Sequence, residues 1–89
     1  MKKEFPNPLE YITHLEASVN YTLIHKKSGK VEVCCYTLKR FEEMLASNPS
    51  FIRIHKAYIV NKQFIRDVMP KNVVLHSGEV LPIARRRKI

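Results

Sequence analysis

Polar and apolar residues alternate over Phe51–Lys56, so Ile52 and Ile54 fall on one side of an extended chain and Arg53 and His55 on the other. Ile59 and Val60 follow. The stretch therefore predicts a strand that carries basic groups into a bend and returns to the core, ending at Asn61, a residue that tolerates left-handed backbone. Short extended runs recur on both sides. Leu9–Leu15 predicts a first strand and residues 16–20 a connection. Tyr21–Lys27 and Val31–Tyr36 predict a hairpin across Lys27, Ser28, Gly29 and Lys30. Residues 62–64 predict one helical turn, Ile65–Met69 a short strand, and Pro70, Lys71 and Asn72 a turn. Val73–His76 and Glu79–Ile83 predict a second hairpin across Ser77 and Gly78.

One segment has helical spacing. Leu38, Phe41, Met44 and Leu45 share a face, while Lys39, Arg40, Glu42 and Glu43 face water. Thr37 is suited to the N-cap because its hydroxyl can accept from a free backbone amide, and Ser47, Asn48 and Pro49 should stop the helix. Leu38, Phe41 and Leu45 are expected to cover one side of a sheet. Pro6 and Pro8 discourage both helix and central strand, so residues 1–8 read as an irregular lead-in and 9–89 as one domain. Strands with a single short helix near the middle predict a mostly-β fold.

Composition narrows the partner. An 89-residue chain can bury one modest core, and 45% hydrophobic content argues against disorder. The longest apolar runs are too short to span a bilayer, and Met1, Lys2 and Lys3 lead to Glu4, Phe5 and two prolines rather than to a signal-peptide core. Lys plus Arg number 16 against 8 Asp plus Glu, a net charge of +8 that favours a polyanion. Nucleic acid is preferred over an anionic membrane because no long amphipathic basic helix is evident. The only cysteines, Cys34 and Cys35, are neighbours that would face opposite ways on a strand. They make no disulfide framework, offer too few ligands for zinc, and fit a reducing cytoplasm.

Catalytic chemistry finds no support. His14, His25, His55 and His76 are scattered without ligand spacing, and there is no phosphate loop or nucleophile elbow. The expectation is no enzyme, no cofactor, no metal and no small-molecule substrate.

The central stretch Phe51–Asn61 resembles the signature of the LytTR DNA-binding family, roughly F-x-R-x-H-[RK]-S-[YF]-x-V-N. Phe51, Arg53, His55, Tyr58, Val60 and Asn61 match, and Ala57 stands where the family prefers serine. Thr37 and Leu38 upstream, and Gly78, Leu81, Pro82, Ile83, Arg85 and Arg86 downstream, extend the resemblance over residues 9 to 89. It implies small stacked antiparallel sheets with loops projecting from one side, and a bacterial, cytoplasmic transcription regulator of the response-regulator output type. No receiver domain lies within these residues.

The resemblance also implies roles. Three loop positions read bases in successive major grooves of bent DNA: Asn20 with Tyr21 beside it, Lys56, and Arg86. Arginine can bond guanine O6 and N7 together, and asparagine can pair with adenine N6 and N7. Ser18, Arg85, Arg87 and Lys88 would contact phosphate. Arg53 divides between a phosphate contact and an internal ion pair, and His55 between DNA and bonding the backbone to fix its loop. Asn61 is expected to form a turn, and Phe51 and Tyr58 to belong to the core. Ala57 and Ala84 replace hydroxyl residues common in the family, removing two potential bonds to phosphate. The expected partner is double-stranded promoter DNA carrying imperfect direct repeats, with a weak homodimer on DNA. Two rivals stay open: a non-specific basic nucleic-acid-binding protein, and a protein-interaction module that kept the fold.

Overall fold

A computed structural model describes residues 9–87. The expected lead-in over residues 1–8, and Lys88, lie outside the described residues. The chain begins with a 3-10 turn at Leu9–Tyr11, then β1 (Ile12–Ser18), β2 (Tyr21–Lys26), β3 (Val31–Cys34) and α1 (Leu38–Met44). It continues through β4 (Phe51–His55), β5 (Tyr58–Asn61), a second 3-10 turn at Lys62–Phe64, β6 (Ile65–Val68), β7 (Asn72–Leu75) and β8 (Val80–Pro82). Two antiparallel sheets form: five strands in the order β3-β2-β1-β5-β4, and three in the order β6-β7-β8. The fold is mostly β with one helix.

Three layers result. Leu38, Phe41 and Leu45 press α1 onto one face of the large sheet, against Ile12, Leu15, Ile24 and Ile59. The small sheet covers part of the opposite face, where Val73, Leu75 and Leu81 meet Ile54 and Val60. Each large side chain so buried contributes about 1.5–3 kcal/mol relative to exposure. Thr37 caps α1 by accepting from the Arg40 amide at 3.2 Å. Gly29 (φ 95°) and Gly78 (φ 94°) supply the positive φ that their hairpin turns require.

Two irregularities set which side chains face which layer. The β1–β2 register slips between Ile12 and His14. Ile12 and Leu15 thereby share the helix side, and His14 and Glu16 take the other. The β4–β5 register slips between Arg53 and His55, leaving Arg53 opposite Ile59 but His55 opposite Tyr58. Simple alternation put Arg53 and His55 on one side. Instead Arg53 turns toward α1, where it meets Glu42, and His55 lies beside Tyr58 with ring centroids 5.9 Å apart.

Other expectations shift. β1 runs on to Ser18, because residues 16–18 pair with both β2 and β5 or continue the ladder, so the expected connection shrinks to Val19 and Asn20. There Val19 has φ 55°. Asn61 is extended (φ −88°, ψ 115°) rather than left-handed. Its side chain is buried, donating to the Ile12 carbonyl at 2.9 Å and accepting from the Gln63 amide at 3.0 Å, so it ties β5 to β1 and caps the following turn. Phe51 and Tyr58 are half-buried, each packed against a different core cluster.

Candidate nucleic-acid interface

The antiparallel order places three connections at one end of the large sheet. β1 ends at Ser18, paired with Tyr21 across the Val19–Asn20 turn. β5 begins beside it, since Glu16 pairs with Tyr58 and the Ala17 amide donates to the Ala57 carbonyl at 2.8 Å. The turn carrying Lys56 and Ala57 is therefore next to the turn carrying Asn20. After β8 the chain returns to the same end: the Ala84 amide donates to the Ile54 carbonyl at 2.7 Å, and the Arg87 amide to the Ala84 carbonyl at 3.0 Å. That last bond bends Arg85 and Arg86 into an exposed turn.

Asn20, Tyr21, Lys56, Arg85, Arg86 and Arg87 are all exposed, and Ser18 is half-buried. The charge here is largely unbalanced. Glu16, Glu32, Glu42, Asp67 and Glu79 each have a basic or histidine neighbour within ion-pair distance, but none of these is Lys56, Arg85, Arg86 or Arg87. Exposed cations that have no carboxylate partner among the described residues attract a polyanion and lose less on binding it.

Arg53 and His55 are used differently. The Arg53 side chain is only 14% exposed. It donates to Glu42 Oε1 at 2.7 Å, to the His55 carbonyl at 3.1 Å and to the Lys56 carbonyl at 2.6 Å. His55 Nδ1 accepts from the Ala57 amide at 3.1 Å. Both side chains fold the β4–β5 turn onto itself, and so fix where Lys56 projects.

A feature the sequence did not reveal lies at the same end. β3 finishes at Cys34, opposite Thr22, and the Thr22 hydroxyl donates to the Tyr36 carbonyl at 2.8 Å. α1 therefore starts near the β1–β2 turn. Exposed Arg40 stacks over the Tyr36 ring at 4.7 Å. Helical spacing assigned Lys39 and Arg40 to water; only the β2–β3 register shows which end of the sheet they approach. Glu42, also assigned to water, is drawn in by Arg53 and half-buried. Cys34 packs beneath α1 and Cys35 is exposed, both as free thiols.

Two stacked sheets, one covering helix and a basic cluster of turns at one end describe a small nucleic-acid-binding output domain. The family model described as the LytTr DNA-binding domain matches residues 2–88, and the chain belongs to that family. Among solved structures it resembles the LytTr DNA-binding domain of a putative methyl-accepting/DNA response regulator from Bacillus cereus. The identity is 28% and the TM-score 0.81, over 90% of this chain and 76% of that one. No curated protein matches. Family membership makes DNA binding and transcription regulation the activity, and a DNA-binding family gives no support to catalysis. No described helix is long and apolar enough to cross a membrane.

Proposed function

We propose that this domain recognises a specific double-stranded promoter sequence, inserting its β1–β2 turn, β4–β5 turn and C-terminal basic turn into successive major grooves of a bent duplex. The observation that carries the reading is the pair of backbone bonds, Ala17 to Ala57 and Ala84 to Ile54, that hold all three turns at one end of one sheet. Asn20 with Tyr21, Lys56 and Arg86 read bases. Ser18, Arg85, Arg87 and Lys88 hold phosphate, and Lys39 and Arg40 extend that track. Arg53 and His55 act at one remove by setting the Lys56 turn. Imperfect direct repeats would seat two copies, each contributing one such surface.

The test is selection of bound duplexes from a random pool, followed by titration of recovered and unrelated sites at two salt concentrations. The expected result is a motif with repeats spaced by about one helical turn or a multiple of it. Arg86→Ala should then cost about 1–3 kcal/mol of discrimination at one base pair. Equal affinity for every sequence would replace this reading by non-specific binding. No binding by the folded domain would leave an interaction module.

A further inference from the structure

The face of the large sheet away from α1 carries a group of side chains that DNA binding does not use. His14 and His25 sit opposite each other on β1 and β2, and Glu16 is two residues further along β1 on the same face. Their potential ligand atoms all lie within 4.8 Å of one another. The two imidazoles stack with centroids 4.0 Å apart and planes within 10°. His25 Nε2 lies 2.8 Å from Glu16 Oε1. A second carboxylate arrives from the small sheet, with Glu79 Oε2 3.5 Å from His14 Nε2.

The hydrogen bonds around Thr13 favour one tautomer of His14. The Thr13 hydroxyl has one hydrogen, and it donates to the His25 carbonyl at 3.2 Å. With that donation made, it accepts at its 2.9 Å contact with His14 Nδ1, which assigns the ring proton to Nδ1. Nε2 is left as a bare lone pair. It is buried, makes no hydrogen bond among the described residues, and has an anionic oxygen as its neighbour. The carboxylate keeps its water, since the Glu79 side chain is 47% exposed, but the His14 side chain is only 2% exposed, so Nε2 has neither water nor a donor and burial opposes its protonation. A cation satisfies both groups. A histidine held through Nδ1–H by a fixed acceptor, with Nε2 free and a carboxylate near, is the arrangement that metal-binding histidines adopt.

We propose that His14 Nε2, His25 Nε2, Glu16 and Glu79 bind one transition-metal dication, with Thr13 orienting His14. Two imidazoles select a borderline ion such as Zn²⁺ over Mg²⁺ or Ca²⁺, and two carboxylates neutralise its charge. On binding, His25 moves its proton to Nδ1 and exchanges its contact with Glu16 for the ion, while the parallel rings tilt so that their lone pairs converge. The ion ties the β1–β2 hairpin to the β7–β8 connection, fastening the small sheet to the large one. Tyr58 borders the site, paired with Glu16 across β1 and β5 and with its ring centroid 6.3 Å from that of His14.

The test is calorimetric titration of the metal-stripped full-length protein with ZnCl₂, with thermal melting and Co²⁺ absorption alongside. The expected result is one equivalent bound, a raised melting temperature and a Co²⁺ spectrum without thiolate charge transfer. Thr13→Val should weaken binding about 10–100-fold, and His25→Gln and Glu79→Gln at least as much. The double variant Cys34→Ser, Cys35→Ser, which removes the competing thiols, should bind as the parent does. Absence of binding, or binding that survives His25→Gln and Glu79→Gln in folded protein, would overturn the assignment, as would binding lost with the thiols.

Discussion

Replacing Arg53 by methionine separates a side chain that shapes the β4–β5 turn from one that touches DNA. The methylene stem is kept and three hydrogen bonds are lost. The bond to Glu42 joins a 14% exposed to a 43% exposed side chain, so it contributes at most about 1 kcal/mol. Each bond from the charged guanidinium to a carbonyl contributes about 1.5–3 kcal/mol, but the Lys56 carbonyl sits in an exposed turn and can turn to water. The expected loss is about 2–3 kcal/mol. At roughly 1–3 kcal/mol per molar urea, the unfolding midpoint falls by about 1 M. Arg53→Lys keeps the charge but not the fork that spans two carbonyls, and should lose most of the same stability. DNA affinity should drop in both variants while the slope of log affinity against log salt stays unchanged. A direct phosphate contact would instead flatten that slope by about 0.9 in Arg53→Met. A flattened slope together with stability within about 0.5 kcal/mol of the parent would refute the clamp.

Val19 combines a β-branched side chain with φ 55° and is 92% exposed, so Val19→Asn sheds strain without losing packing and should stabilise the domain by about 1 kcal/mol in a urea melt. Asn61→Ala leaves the buried Ile12 carbonyl and the Gln63 amide without their partner and should cost about 1–3 kcal/mol by the same assay. Burial first, and then neighbouring His25, lower the His14 pKa from 6.5 to about 3. The unfolded chain therefore takes up a proton below about 6.5 that the folded one refuses until near 3, and stability should fall as pH drops through that window. In chelator, the slope of unfolding free energy between pH 6 and 4 should exceed that of His14→Gln by up to about 1.4 kcal/mol per pH unit; equal slopes would count against a buried neutral His14.

The elements legible in the sequence were those set by local chemistry. Leu38, Phe41 and Leu45 at helical spacing behind Thr37 predicted α1, and Gly29 and Gly78 marked their hairpin turns. The bulges in β1 and β4 were not legible, because a bulge depends on the partner strand, and each reverses the side taken by a chemically important residue, His14 in one case and His55 in the other. The same limit hid the histidine cluster. His14 and His25 are scattered along the chain and become neighbours only through the β1–β2 register. Glu42 looked solvated because its partner comes from a strand formed later in the chain. The basic positions of the proposed interface were named through the family signature, whereas their gathering at one end follows from the strand order β3-β2-β1-β5-β4.

The most direct test of the central claim is a map of backbone amide shifts as the domain is titrated with a selected duplex. The opposite end of the large sheet supplies the control, since the β2–β3 turn there carries exposed Lys27 and Lys30 and is basic without belonging to the proposed surface. The largest changes are expected at residues 18–21, 55–57 and 84–87, with the amides of residues 27–30 little moved. Largest changes at residues 27–30, with the three turns unaffected, would contradict it.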